Sequence, residues 1–211
     1  MQKHKKSKLD LIINELEYAL DTILNEANLP SVMTKNNTKN LSSDEIKESS
    51  RVMRINHMGE VCAQGLYRGQ ATCTKNKYIK DELYKICEEE NEHLKLCNLR
   101  LMELNEKQSV FNPIWYLASF TLGAIAGLKE DKYKMGFIEE TEKQVKDHLA
   151  ESISVLPKKD KRSKDFLEVI AQDEEKHRAT ARNIGSEELP NTIKYTMDKL
   201  SKVMKKISGY V

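Results

Sequence analysis

A chain of 211 residues fits one domain, because single cores commonly reach about 100 to 200 residues before chains divide. Thirty-five basic against thirty-three acidic side chains leave a formal charge of +2, so no one-signed field points to nucleic acid. Eight glycines and four prolines are too few for the tight turns of a sandwich, while good helix formers abound, and the composition predicts an all-α protein.

The opening MQKHKKSKLDLIINEL is basic, but Asp10, Glu15 and Glu17 interrupt the apolar run a signal peptide needs, so secretion is not expected. Cys62, Cys73, Cys87 and Cys97 form no CxxC pair and read as the reduced thiols of a cytoplasmic protein. Residues 8 to 26 set Leu9, Ile12, Ile13, Leu16, Leu20, Ile23 and Leu24 at helical spacing, an amphipathic helix whose partner is not evident. Leu29 to Leu41 then reads as a linker rich in Pro, Asn, Thr and Ser, which sets a unit over 1–42 apart from a main body over 43–211. Ser42 with Glu45 makes a capping box and opens that body.

Four long helices follow in the main body. The first, about 43 to 74, has an inward stripe of Met53, Glu60, Ala63, Tyr67 and Ala71; the second, about 78 to 107, has Ile79, Leu83, Ile86, Glu90, His93, Leu94, Cys97 and Leu101. The third, about 132 to 156, carries Met135, Ile138, Glu142, Val145, Leu149 and Leu156 and stops at Pro157. A fourth, about 162 to 184, carries Phe166, Ile170, Glu174, His177, Ala181 and Ile184 and stops at Gly185. Short connections such as KNK at 75 to 77 imply an up-and-down bundle. A last amphipathic helix, about 192 to 207, sets Ile193, Met197, Leu200, Met204 and Ile207 opposite five lysines.

Glutamate on an apolar stripe needs an explanation, because a buried carboxylate without partners costs several kcal/mol. Two stripes hold Glu and His one helical turn apart, Glu90 with His93 and Glu174 with His177, and the other two hold single acids, Glu60 and Glu142. Each single Glu precedes its ExxH pair by similar lengths, 30 and 32 residues, which reads as a duplicated helix pair. A solvated face rich in Glu and Lys can produce one ExxH by chance; six such residues on four core stripes predict a dinuclear metal site. Four carboxylates and two imidazoles suit iron or manganese. Glu60 and His93 are assigned to one iron, Glu142 and His177 to the other, with Glu90 and Glu174 as bridges. Glu89 and Asp173 are expected each to accept a hydrogen bond from the imidazole of the opposite pair, unless they are ordinary surface acids. His57 and His148 could face the edge of the site or be satisfied half-buried histidines, and Tyr67 could hydrogen bond near the metals or simply pack. Cys62 and Cys97 read as packing residues.

Positions 108 to 128 hold no charge. The helix starting at Pro113 offers about 24 Å against a hydrocarbon core of about 30 Å, too short to span comfortably. With Trp115, Tyr116 and Phe120 near one end it reads as an interfacial element that dips into one leaflet, the alternative being a crossover buried against the bundle.

The segments RVMRINHMGEVCAQGLYRGQ, EEENEHLKLC, NPIWYLASFTLGAIAGL, ETEKQVKDHL and QDEEKHRATA, at 51–70, 88–97, 112–128, 140–149 and 172–181, resemble the bacterial demethoxyubiquinone hydroxylases, a ferritin-like di-iron monooxygenase family of ubiquinone biosynthesis. The similarity runs from the first helix to the closing SKVMKKISGYV. It implies a ferritin-like bundle with two iron ions on Glu60, Glu90, His93, Glu142, Glu174 and His177, dioxygen as co-substrate and electrons ultimately from NADH. It also implies hydroxylation of a polyprenylated, membrane-embedded quinol, a peripheral place on the cytoplasmic face of the bacterial cell membrane, and other ubiquinone-biosynthesis proteins as partners, a lipid-binding one among them. No GxGxxG signature accompanies the NADH expectation. The quinol ring is expected to enter between the first and third bundle helices, with its tail leaving along 113 to 128. The rival readings are a soluble ferritin-like iron-storage or peroxide-scavenging protein, for which the apolar segment has no obvious use, and a metal-free helical membrane-associated interaction protein.

Overall fold

The computed structural model describes residues 7–24, 38 and 40–209. Most of the linker, together with the first six residues, lies outside them. Seven helices and no strand occur among the described residues: α1 Lys8–Leu24, α2 Ser43–Cys73, α3 Lys77–Glu103, α4 Asn112–Gly127, α5 Asp131–Val155, α6 Lys161–Ile184 and α7 Asn191–Ser208. The all-α, ferritin-like reading is borne out.

Local chemistry sets the boundaries. Ser42 and Glu45 exchange the two bonds of the expected capping box, Asn76 caps α3 through the Tyr78 and Ile79 amides, and the Asp160 carboxylate accepts from the Ser163 amide. Gly185 closes α6 at φ 109°, a left-handed conformation that glycine adopts without a Cβ penalty. α3 ends four residues earlier than its pattern predicts. Asn105 turns left-handed at φ 59° and the Glu106 amide reaches back to the Leu101 carbonyl at 2.9 Å, which reverses the chain.

The bundle is two antiparallel pairs, α2 with α3 and α5 with α6, joined through α2 against α5 and α3 against α6. One apolar cluster gathers Tyr67, Ala71, Leu83, Ile86, Met135, Ile138 and Ala181; another gathers Met53, Cys97, Leu101, Leu149, Leu167 and Ile170. In all four helices the Glu and His positions fall between residues of these clusters, so a polar layer is clamped between two apolar ones. Beyond the second cluster, the fully buried Arg100 guanidinium donates to Glu103 at 2.9 Å, Asp160 at 2.8 Å and Ser163 at 2.8 Å, tying the end of α3 to the start of α6.

α4 is the crossover between the pairs and lies along α2 at backbone contact. A Cβ on Gly65 would stand 2.6 Å from the Tyr116 carbonyl and one on Gly127 2.5 Å from that of Gln70; Gly69 and Gly123 meet the Phe120 and Leu66 carbonyls closer still. The uncharged segment is thus a crossover with one face buried against the bundle and the other exposed. Tyr116, Ser119, Gly123 and Gly127 are buried on α2, while Ile114, Leu117, Ile125 and Leu128 face outward. α1 docks through Glu15 to Arg68 at 2.7 Å and through the Tyr18 hydroxyl donating to Gln64, and leaves Leu9, Ile12, Leu16, Leu20 and Leu24 exposed. α7 ends beside α4, where the Trp115 indole donates to the Ser208 hydroxyl at 2.8 Å. No helix among the described residues is long and apolar enough to cross a membrane.

Candidate metal centre

Glu60 from α2, Glu90 and His93 from α3, Glu142 from α5, and Glu174 and His177 from α6 converge at mid-bundle, each no more than 3% exposed. Their donor atoms form two overlapping groups, Glu60, Glu90, His93 and Glu174, then Glu90, Glu142, Glu174 and His177, within which one atom from each residue lies inside 4.8 Å of the others. Glu90 and Glu174 belong to both, the positions expected of bridges. His93 Nδ1 lies 3.2 Å from Glu90, 3.6 Å from Glu174 and 3.9 Å from Glu60; His177 Nδ1 lies 3.0 Å from Glu90 and 3.5 Å from Glu174.

The outer ring nitrogens point away, into a crossed arrangement. His93 Nε2 lies 3.3 Å from Asp173 Oδ2 and His177 Nε2 2.7 Å from Glu89 Oε2. Each acid thus receives the imidazole of the opposite pair, as expected. A proton on Nε2 leaves the Nδ1 lone pair aimed at the centre, the tautomer a metal requires. Tyr67 also joins the site, its hydroxyl donating to Glu142 Oε1.

Protons alone serve this cluster poorly. Burial and the neighbouring Glu90 push Glu60 well above the usual carboxylate range, and burial and Glu174 do the same to Glu142. Burial opposes charge on the imidazoles as well, yet Glu174 and Glu90 outweigh it and raise His93 to about 12 and His177 to about 10. Glu90 Oε1, Glu174 Oε2 and His177 Nδ1 still find no hydrogen-bond partner among the described residues; the 3.0 Å approach of His177 to Glu90 is out of line for one. Three buried, unsatisfied donor-set atoms turned to one place fit divalent cations, whose charge would offset the four carboxylates.

His57 resolves as a satisfied core histidine. It is buried, its Nδ1 stands 3.3 Å from Asn112 Nδ2, and desolvation lowers it to about 4. His148 instead faces the site's edge, on the wall of a cavity of about 160 Å³. That cavity runs between α2 and α5 from Glu60, Glu142 and Glu174 outward, past Ala63, Leu66 and Val145, to Leu122 on α4 and Met197, Leu200 and Met204 on α7. Cys62 lines it as well, beyond its expected packing role, whereas Cys97 is core. The lining role of Thr141, Gln144 and Ser201 escaped the sequence reading, because single polar residues among charged neighbours carry no periodic signal.

A four-helix bundle with a duplicated Glu and ExxH set in its core defines the ferritin-like class with a buried carboxylate–histidine cluster. The model of one family, ubiquinone biosynthesis protein COQ7, matches residues 47–208. The chain belongs to that family. It is 42% identical over 205 residues to the 3-demethoxyubiquinol 3-hydroxylase of Acinetobacter baylyi, covering 96% of this chain and 97% of that protein. The enzymes of the same name from Legionella pneumophila, 43% identical, and Acinetobacter baumannii, 41% identical, are matched over 97% and 96% of this chain and 98% and 97% of theirs.

Proposed function

We propose that this protein hydroxylates a demethoxyubiquinol, the reaction in the names of its relatives, and that it does so on the benzoquinol ring of a polyprenylated substrate as a di-iron monooxygenase using dioxygen. The observation that carries the reading is the cavity from Glu60, Glu142 and Glu174 to the apolar exterior of α4 and α7, because a storage bundle has no use for an apolar approach to its cluster. Glu60 and His93 would hold one iron and Glu142 and His177 the other, with Glu90 and Glu174 shared. Those irons, when bound, supply the activation of dioxygen with electrons ultimately from NADH.

The chain's own residues bind, orient and keep the site dry. Met197, Leu200 and Met204 roof the cavity against water, and Ala63, Leu66 and Val145 give the ring an apolar wall. His148 is neutral at pH 7, since burial and Lys205 lower it to about 4, and with its ring nitrogens facing Ser152 and Lys205 it presents an uncharged imidazole to that wall. Tyr67 steadies Glu142 by donating to its Oε1, and Asp173 and Glu89 hold the imidazoles in one tautomer.

The exposed apolar faces of α1 and α4, with Ile193, Val203 and Ile207 of α7, suit a peripheral seat in one leaflet on the cytoplasmic side, from which the substrate's tail would leave along α4. Other ubiquinone-biosynthesis proteins would meet the enzyme there.

Quinone analysis of a bacterial strain lacking the gene tests the reading. It should accumulate the quinone lacking one methoxy group, and Glu60→Ala or Glu142→Ala should fail to restore ubiquinone although each protein is present and folded. Restoration by either variant, or normal quinones with disturbed iron storage in the deletion strain, would favour the rival bundle.

A further inference from the structure

A second hollow, about 330 Å³, lies beside the cavity that reaches the cluster, where the third and fourth turns of α2, the last turns of α5 and the last turns of α7 meet. Its charged lining is Arg51, Lys202, Lys205 and Lys206 against one carboxylate, Glu151. Ile55, His148 and Lys205 line both hollows, so the two share a wall.

Two of these cations take part in local pairs. Arg51 pairs with Glu48 at 2.7 Å and Lys202 with Asp198 at 2.8 Å, each within one helical turn and more than a third exposed, the kind of pair that contributes little. Lys205 is half-buried, and its ammonium faces His148 Nδ1 at 3.4 Å rather than a carboxylate. An ammonium brought close to an imidazole and partly withdrawn from water is poorly compensated by that neighbour. Three lysines and a guanidinium around a recess, with one acid among them, match a bound anion, and the planar fork of arginine suits phosphate oxygens.

We propose that this crevice binds a phosphate ester, the phosphate or pyrophosphate of a ligand whose remaining part lies toward the wall shared with the substrate cavity. Two sources carry that chemistry. One is a soluble nicotinamide dinucleotide, which would place an electron donor beside the cavity; the other is a phospholipid headgroup at the rim of the apolar face formed by α4 and α7. The inference needs only the crevice, and the metal reading is checked separately by iron content.

The test uses the purified, iron-loaded full chain and three probes: inorganic pyrophosphate, NADH, and phosphatidylcholine vesicles with or without phosphatidylglycerol. Lys202→Glu combined with Lys206→Glu, and separately Arg51→Gln, should weaken binding of pyrophosphate and of one other probe by about tenfold or more, with iron content and helicity unchanged. The same charge change placed on α6 and the loop before it, Lys158→Glu with Lys164→Glu, should leave binding intact. Competition between NADH and pyrophosphate identifies the dinucleotide as the source; loss confined to phosphatidylglycerol vesicles among the two larger probes identifies the headgroup. The proposal is overturned if the crevice variants bind all three probes as the parent does, or if the control variant loses as much as they do.

Discussion

At the scale of single residues the site separates side chains that would touch the cations from side chains that would aim them. Glu90 lies in both donor groups, so Glu90→Ala should abolish binding of both irons, whereas Asp173→Asn removes only the charge that orients His93 and should weaken iron affinity by roughly 10- to 100-fold. Iron titration followed by metal analysis compares them, and full occupancy in Glu90→Ala would remove it as a bridge. His57 carries a different kind of cost. Its folded value of about 4 lies below the usual 6.5, so the unfolded chain binds the extra proton first, and stability is lost as pH falls from about 6.5 toward 4, by up to about 3 kcal/mol. Denaturant melts of His57→Gln should show a shallower acid dependence than the parent, and an identical slope would mean that His57 contributes none of it. The six cluster residues were legible in the sequence because carboxylates on apolar stripes break a pattern the rest of each helix obeys. Arg100 was not, since an arginine near a helix end is ordinary there and its acid Asp160 lies sixty residues away.

At the scale of elements the close crossing of α2 and α4 decides where the apolar segment goes. Gly123 abuts the Leu66 carbonyl with no room for a side chain, so Gly123→Leu must push α4 off α2 and should cost about 3 kcal/mol or more, the upper range for overpacking. Leu117→Ala, on the outward face, should cost little. Thermal melts of the two variants check this, and equal stability would mean that α4 is loosely attached. Helix count and capping at Ser42 and Gly185 were readable from period and end chemistry. The early stop of α3 at Glu103 was not, because the Asn105 turn competes with a helical pattern that continues through Lys107. Amphipathic patterns likewise marked α1 and α7 as helices with an apolar face, yet spacing alone does not say what that face meets, and most of α1's stripe faces outward.

At the scale of the whole molecule, the duplicated helix pair places a charged layer between two apolar clusters, and the crossover joining the pairs also edges the cavity that reaches that layer. One scaffold thereby unites a buried carboxylate–histidine core with an apolar approach, and its membership of a ubiquinone-biosynthesis family gives the approach a chemical meaning. The central claim is that dioxygen supplies the oxygen installed on a demethoxyubiquinol ring inside this cavity. The direct measurement is mass spectrometry of the quinone formed when the iron-loaded protein, reductant and a demethoxyubiquinol are mixed under isotopically labelled dioxygen. The product should be a hydroxylated ring carrying one labelled oxygen atom, absent with Glu90→Ala. Unchanged substrate, or a hydroxyl without label, would contradict it.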